Sequence, residues 1–120
     1  EHLQTALAKG KGVIALGAHI GNFVLVGTRL GIEGYRFHTL FDANGRADRK
    51  AVTKILDALK RNEIVHNLRD NLKKGRINAS LFGQRVPSPR GPISLALRSA
   101  APVVPIYLVR NYQGEMNLVI

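Results

Sequence analysis

Cysteine is absent from this 120-residue chain, and acidic residues are scarce. Without cysteine the chain can form neither a disulfide nor a thiolate metal site. No apolar run approaches the roughly 20 residues that a membrane-spanning helix needs, and no secretory signal pattern is visible. Aromatic residues make up 6% of the chain, and they form no stacking platform among the basic residues. A nucleic-acid-binding module is therefore not favoured.

The charge balance is strongly basic. Lysine and arginine number 18 against 8 acidic residues, which gives a formal net charge of +10. The region between positions 60 and 90 holds Lys60, Arg61, Arg69, Lys73, Lys74, Arg76, Arg85 and Arg90. Such a balance favours an anionic partner, namely phospholipid headgroups, nucleic acid or an acidic carrier protein. A solvated basic face explains the same cluster, so charge alone does not choose among these alternatives.

Hydrophobic periodicity predicts alternating helices and strands within one domain, 1–120. The helices are expected over 1–9, 21–31, 49–61 and 91–100. The strands are expected over 12–18, 35–41, 64–68 and 77–82, followed by a final pair over 103–110 and 115–120. We expect a loop over 83–92 and weak order over 42–48. The alternation predicts an α/β fold with a mostly parallel central sheet and helices on both faces.

A histidine lies between the first predicted buried strand and the helix that follows, in the run Gly17–Phe23 (GAHIGNF). At the carboxyl end of a strand, His19 would face the crevice in which α/β folds bind ligands. Its imidazole can accept a proton from a hydroxyl that attacks a thioester. The alternative is a structural histidine with a satisfied hydrogen bond. A P-loop is excluded because the run lacks the Gly-Lys-Ser/Thr ending.

Three later segments carry further candidates. The pair Asp70-Asn71 follows the strand predicted over 64–68, where an acidic side chain can support His19 or position an acceptor. In the predicted loop 83–92, glycine permits close approach of the backbone to a ligand, and Arg85 and Arg90 can contact an anion. The segment Ala101–Arg110 (APVVPIYLVR) is expected to be a buried strand with a terminal arginine.

In this order, from about residue 5 to residue 120, these segments resemble the bacterial lipid A biosynthesis acyltransferases (lauroyl/myristoyl type) of the lysophospholipid acyltransferase superfamily. The resemblance implies a lysophospholipid-acyltransferase-like fold. It also implies transfer of a fatty acyl group from a thioester to a hydroxyl of a phosphorylated glycolipid or lysophospholipid. The thioester, on acyl carrier protein or coenzyme A, would be the co-substrate, and no cofactor or metal is implied.

The resemblance also implies a set of site residues. His19 and Asp70 would be catalytic, and backbone N–H groups near Gly21 or Gly91 would bind the oxyanion. The substrate would be bound by Gly21, Asn22, Arg69, Arg85, Arg90 and Arg110. We further expect a location at the cytoplasmic face of the bacterial inner membrane. There the chain would be peripheral, or anchored by a segment of a longer protein of which it is a piece.

The family's first motif places Asp or Glu five residues after the histidine, and here that residue is Val24. Three interpretations follow. Another carboxylate, such as Asp70, substitutes in space; His19 works alone; or the chain is a weak or inactive homologue. In the last case it would be an anionic-lipid-binding or regulatory domain rather than an enzyme.

Overall fold

The computed structural model describes residues 1–39, 49–68, 70 and 76–120. The weak region predicted over 42–48 and the end of the strand predicted over 35–41 lie outside these residues. The elements are α1 His2–Leu7, β1 Val13–Gly17, a 3-10 helix Phe23–Leu25, α2 Val26–Ile32, β2 Phe37–Thr39, α3 Arg49–Lys60, β3 Ile64–Leu68, β4 Arg76–Leu81, β5 Gln84–Pro89, α4 Gly91–Ser99, β6 Val103–Pro105, β7 Tyr107–Arg110 and β8 Met116–Val119.

Four strands form a parallel sheet in the order β2-β3-β1-β6. Strand β1 lies between β3 and β6, and its apolar run Val13–Leu16 suits a strand that is covered on both faces. Two antiparallel hairpins, β4–β5 and β7–β8, complete the strands described. The prediction of an α/β fold with a parallel central sheet is confirmed.

Helices cover both faces of this sheet. Val13 and Ala15 of β1 pack in one apolar cluster with α1 and α2, whereas Ile14 packs in another with α3 and α4. The side chains alternate because successive residues of a strand point to opposite faces. Each valine, leucine or isoleucine side chain buried in this way contributes roughly 1.5–3 kcal/mol to folding. Among the described residues, no helix is long and apolar enough to cross a bilayer.

The loop predicted over 83–92 is wrong, because residues 84–89 form β5, which pairs antiparallel with β4. The prolines at positions 87 and 89 disfavour a strand, because proline has no N–H to donate to a neighbouring strand. They are tolerated because each strand of a two-stranded hairpin has a free edge, where a missing N–H removes no ladder hydrogen bond. The turn is confined to Phe82 and Gly83, both of which have a positive φ.

Two further boundaries differ from the prediction. The strand expected over 103–110 divides at Ile106: β6 joins the parallel sheet, whereas β7 pairs with β8. The Ile106 N–H still donates to the Leu16 carbonyl at 3.0 Å, so the chain stays beside β1 as far as Leu16, the next-to-last residue of that strand. The helix expected over 21–31 begins at Phe23 as a 3-10 turn, because Gly21 has a φ of 62°.

Candidate active site

The register of the parallel sheet brings His19 and Asp70 together. Gly17, the last residue of β1, lies opposite Leu68, the last residue of β3. His19 and Asp70 each come two residues further on, so both emerge at the same carboxyl edge. The His19 Nδ1 lies 2.5 Å from Asp70 Oδ1, and the His19 backbone N–H donates to Oδ2 at 2.8 Å. Both carboxylate oxygens are therefore engaged by one residue.

This contact defines the chemistry of the imidazole. A carboxylate only accepts hydrogen bonds, so the ring hydrogen lies on Nδ1 and the neutral ring keeps Nε2 as a proton acceptor. Partial desolvation raises the pKa of the Asp70 carboxyl, but the hydrogen bonds from the His19 backbone and ring outweigh it and hold that pKa below its ordinary value. Asp70 is therefore ionised at neutral pH and stabilises an imidazolium if one forms.

The pair is open to a reactant. The side chains of His19 and Asp70 are 49% and 39% exposed. The ring of Phe23 meets the imidazole edge to face, with centroids 4.7 Å apart. This contact and the hydrogen bond to Asp70 hold the ring from two sides while solvent still reaches it.

Val24 does not contribute to this arrangement. It lies in the 3-10 turn Phe23–Leu25, and its side chain is 69% exposed. The carboxylate that contacts His19 comes instead from the end of a neighbouring strand, 51 residues away along the chain. Of the three interpretations of Val24, the geometry matches the one in which Asp70 substitutes in space.

Gly21 and Asn22, predicted to bind substrate, position the histidine loop. The Asn22 N–H donates to the Leu108 carbonyl at 2.8 Å. A Cβ on Gly21 would collide with the same carbonyl oxygen, and its φ of 62° also favours glycine. The loop that carries His19 is thereby docked on β7.

An apolar cleft of about 320 Å³ opens beside Asp70, and His19 is not among its lining residues. It is lined by the end of β1 (16–18), the end of β5 (88–89), the first turn of α4 (92–93), Tyr107 and Asp70. Asp70, Ser88 and Tyr107 are the polar side chains among these lining residues. Neither Ser88 nor Tyr107 is predicted from the sequence as a site residue, because Ser88 lies in a predicted loop and Tyr107 in a predicted buried strand.

The predicted arginines do not converge on the described part of this cleft. Arg85 is exposed on β5, Arg90 precedes α4, and Arg110 ends β7; none of the three lines the cleft. Arg69 lies outside the described residues, as does Asn71. Gly91, an expected oxyanion donor, opens α4 directly before the cleft residue Pro92. Its N–H belongs to the first turn, which has no partner within the helix.

A second histidine lies behind the site. His66 of β3 is 2% exposed, and a Cβ on Gly17 would approach its Nε2 to 2.6 Å. Burial lowers the pKa of His66, so the ring is neutral at neutral pH. Glycine at position 17 therefore provides space for this ring beneath the end of β1. Among the described residues, no three side chains converge as a metal site would require.

No protein-family model matches the chain, and no curated protein matches it either. The function is therefore inferred from the site itself.

Proposed function

We propose that this protein is an acyltransferase that moves a fatty acyl group from a thioester donor to a hydroxyl, with His19 as general base. The observation that carries this proposal is the 2.5 Å contact between His19 Nδ1 and Asp70 Oδ1, together with the apolar cleft that Asp70 lines. A carboxylate-oriented imidazole is the arrangement that activates a hydroxyl for attack on a carbonyl carbon.

In the proposed reaction, Nε2 of His19 takes the proton of the acceptor hydroxyl as its oxygen attacks the thioester carbonyl. Asp70 stabilises the resulting imidazolium through Nδ1. The tetrahedral oxyanion needs preorganised donors. The candidate donor is the N–H of Gly91 at the start of α4, because Gly91 directly precedes the cleft residue Pro92. When the intermediate collapses, the C–S bond breaks and the thiolate takes the proton from His19. The products are an ester and a free thiol.

The cleft supports an acyl substrate. Its volume falls at the lower end of the range for small-molecule sites, and its walls are largely apolar. A hydrocarbon chain suits such walls, whereas an acceptor with phosphate groups suits a chain of net charge +10. A phosphorylated glycolipid or lysophospholipid meets both conditions. The proposed donor is a thioester of acyl carrier protein or coenzyme A. The proposed fold is lysophospholipid-acyltransferase-like, and the proposed location is the cytoplasmic face of the inner membrane.

The alternative function is an impaired homologue that binds anionic lipid without catalysis. It rests on Val24, which supplies no carboxylate where the resembling family has one. The hydrogen bonds between His19 and Asp70 count against it, because they provide the orienting carboxylate from another strand.

The test measures acyl transfer from an acyl-carrier thioester to lysophospholipid and lipid A precursor acceptors. We expect turnover in the unmodified protein and a loss of about 10³-fold or more in His19→Ala. Asp70→Asn should lose roughly 10²- to 10⁴-fold, because an amide leaves the ring in the wrong tautomer. His2→Ala, which changes an exposed side chain of α1, is the matched control and should retain full activity.

Val24→Glu separates the two functions. If Asp70 already serves His19, adding a carboxylate at position 24 should not raise the rate. Activity that appears only in Val24→Glu would instead identify the impaired homologue. A folded protein with no turnover on any of these acceptors, or with turnover that survives His19→Ala, would overturn the proposal.

A further inference from the structure

The β4–β5 hairpin is an amphipathic ribbon. Directly opposite residues in an antiparallel pair share a face, and the register pairs Ala79 with Val86 and Leu81 with Gln84. One face therefore carries the apolar residues Ile77, Ala79, Leu81 and Val86, together with Gln84 and Ser88. Ser80 and Arg85, which oppose each other, lie on the other face. No described side chain of the hairpin is buried, so its apolar face lacks a full covering within the described fold.

The tip of this hairpin carries an aromatic residue at a position that suits asparagine. Phe82 and Gly83 have φ values of 50° and 77°, and two positive φ angles are what a type I′ turn requires. Asn-Gly is the favoured pair for such a turn. Phe82 is both strained in its backbone and 96% exposed in its side chain. The strained backbone at Phe82 is not compensated by packing of its side chain within the described fold, which points to a role for this residue in binding something outside the fold.

The sequence around the hairpin carries charge of one sign. From Asn71 to Gly114 the chain has no acidic residue, whereas it has Lys73, Lys74, Arg76, Arg85, Arg90, Arg98 and Arg110. Helix α4, which follows the hairpin directly, exposes Ile93 and Leu97 one turn apart. Exposed aliphatic side chains and arginines thus occur together along the hairpin and α4.

We propose that this hairpin docks the protein on an anionic lipid bilayer, with Phe82 and Leu81 inserted at the boundary between headgroups and acyl chains. Arginines such as Arg85 would then meet headgroup phosphates, because long basic side chains extend to the polar zone while their stems stay in apolar surroundings. Inserted aromatic and aliphatic side chains combined with cationic neighbours are the usual composition of a peripheral membrane anchor.

Other occupants fit the surface less well. A second copy of this chain carries the same +10 charge and is repelled. Nucleic acid gains nothing from exposed aliphatic side chains such as Leu81 and Leu97, since its recognition uses charge and stacking. An acidic protein would form ion pairs with the arginines, but it would not account for the exposed Phe82 at the tip of the β4–β5 hairpin.

Docking at the tip also limits the distance between the cleft and the bilayer. Ser88 and Pro89, at the base of the same hairpin, line the cleft beside Asp70. Because a strand rises about 3.3 Å per residue, a hairpin anchored at Phe82 would hold that cleft within roughly 20 Å of the bilayer surface. Vesicle binding needs no acyl donor and no intact His19, so the docking and the proposed acyl transfer fail or succeed separately.

The chain contains no tryptophan, so Phe82→Trp creates a reporter at one site. We expect its emission to shift to the blue, with loss of acrylamide quenching, on vesicles that contain phosphatidylglycerol. Vesicles of phosphatidylcholine alone should produce a much smaller change. Tyr112→Trp is the matched control, because Tyr112 is an equally exposed aromatic residue in the turn between β7 and β8. Its emission should stay unchanged.

Phe82→Asn supplies a second test that preserves the fold. Asn-Gly suits the turn, so thermal stability should be retained or raised while affinity for phosphatidylglycerol vesicles falls roughly 10- to 100-fold. Tyr112→Asn should leave that affinity unchanged. Unaltered binding by Phe82→Asn, a reporter that does not respond, or an equal response from Tyr112→Trp would each overturn the proposal. So would DNA or an acidic protein binding more tightly than the vesicles.

Discussion

At the scale of single residues, Gly21 holds the histidine loop in place because it has no side chain. Its positive φ is a conformation that favours glycine, and the Leu108 carbonyl oxygen lies where a Cβ would be. The Asn22 N–H that follows can then reach that carbonyl. The orientation of His19 thus depends on a residue that takes no part in proton transfer.

Gly21→Ala is expected to destabilise the protein by about 1–3 kcal/mol and to lower acyl transfer, because the loop must shift away from β7. Urea unfolding and the transfer assay would measure the two effects. Gly31→Ala, in α2 with nothing within 4 Å of the added Cβ, is the control. It should stabilise the protein by about 0.5–1 kcal/mol through helix propensity. Equal effects of the two changes would contradict the role assigned to Gly21.

At the scale of secondary-structure elements, the amino end of β3 has its own charged cluster. Glu63, 5% exposed, accepts hydrogen bonds from Arg61 at 2.8 Å and from His38 at 2.7 Å, and lies 3.4 Å from Arg36. The bond from Arg61 is the main cause that lowers the pKa of Glu63 to about 2 from 4.5; burial opposes it, and His38 and Arg36 add to it. The cluster ties β2 and β3 together at the edge opposite the active site.

The depressed pKa predicts a pH dependence. Because Glu63 binds a proton less readily in the folded state, its contribution to stability is fully present above pH 4.5 and is lost as the pH falls towards 2. Glu63→Gln should lower stability at pH 7 and flatten the change between pH 4.5 and 2, as measured by urea unfolding at several pH values. Glu33→Gln, which breaks an exposed i,i+4 pair with Arg29, should do little. A profile that Glu63→Gln leaves unchanged would refute the assignment.

Local pattern predicted the elements whose apolar residues follow a simple rule. Helix α3 was predicted from apolar residues at helical spacing, and strand β1 from a continuous apolar run that is typical of a strand buried on both faces. Strand β5 was missed because its two prolines are turn signals along the chain and become acceptable only at a free edge. The division of 103–110 was missed because both parts are apolar, and only pairing partners distinguish β6 from β7.

The candidate site was predictable as a set of residues but not as a geometry. His19 was identified from the strand before it and its place at the start of a helix. A carboxylate from Asp70 in place of the one missing at Val24 was only one of three interpretations, because no local pattern shows which residues of β1 and β3 lie opposite each other. Register decides that question. The sequence did not predict that Arg85, Arg90 and Arg110 lie outside the lining of the cleft, because net charge carries no information about where each side chain points.

At the scale of the whole molecule, the two charged sites lie at opposite edges of the sheet. Glu63 precedes β3 and Asp70 follows it, so roughly 20 Å of extended strand separates them. We expect the stability changes of Glu63→Gln and Asp70→Asn to add within about 0.3–0.5 kcal/mol in the double variant. Unfolding of the four proteins in urea would measure this. A larger coupling would mean that β3 transmits strain between its ends.

The central position of β1 also affects how the chain is made. Its neighbours β3 and β6 both come much later in the sequence, so during synthesis Val13–Leu16 leaves the ribosome long before either strand exists to pair with it. A nascent chain at that stage presents an unpaired apolar strand, which is the kind of segment that aggregates or recruits chaperones. Because these pairings are non-local, folding is expected to be slow. The hydrogen bond between His19 and Asp70 can form only after β1 and β3 have met.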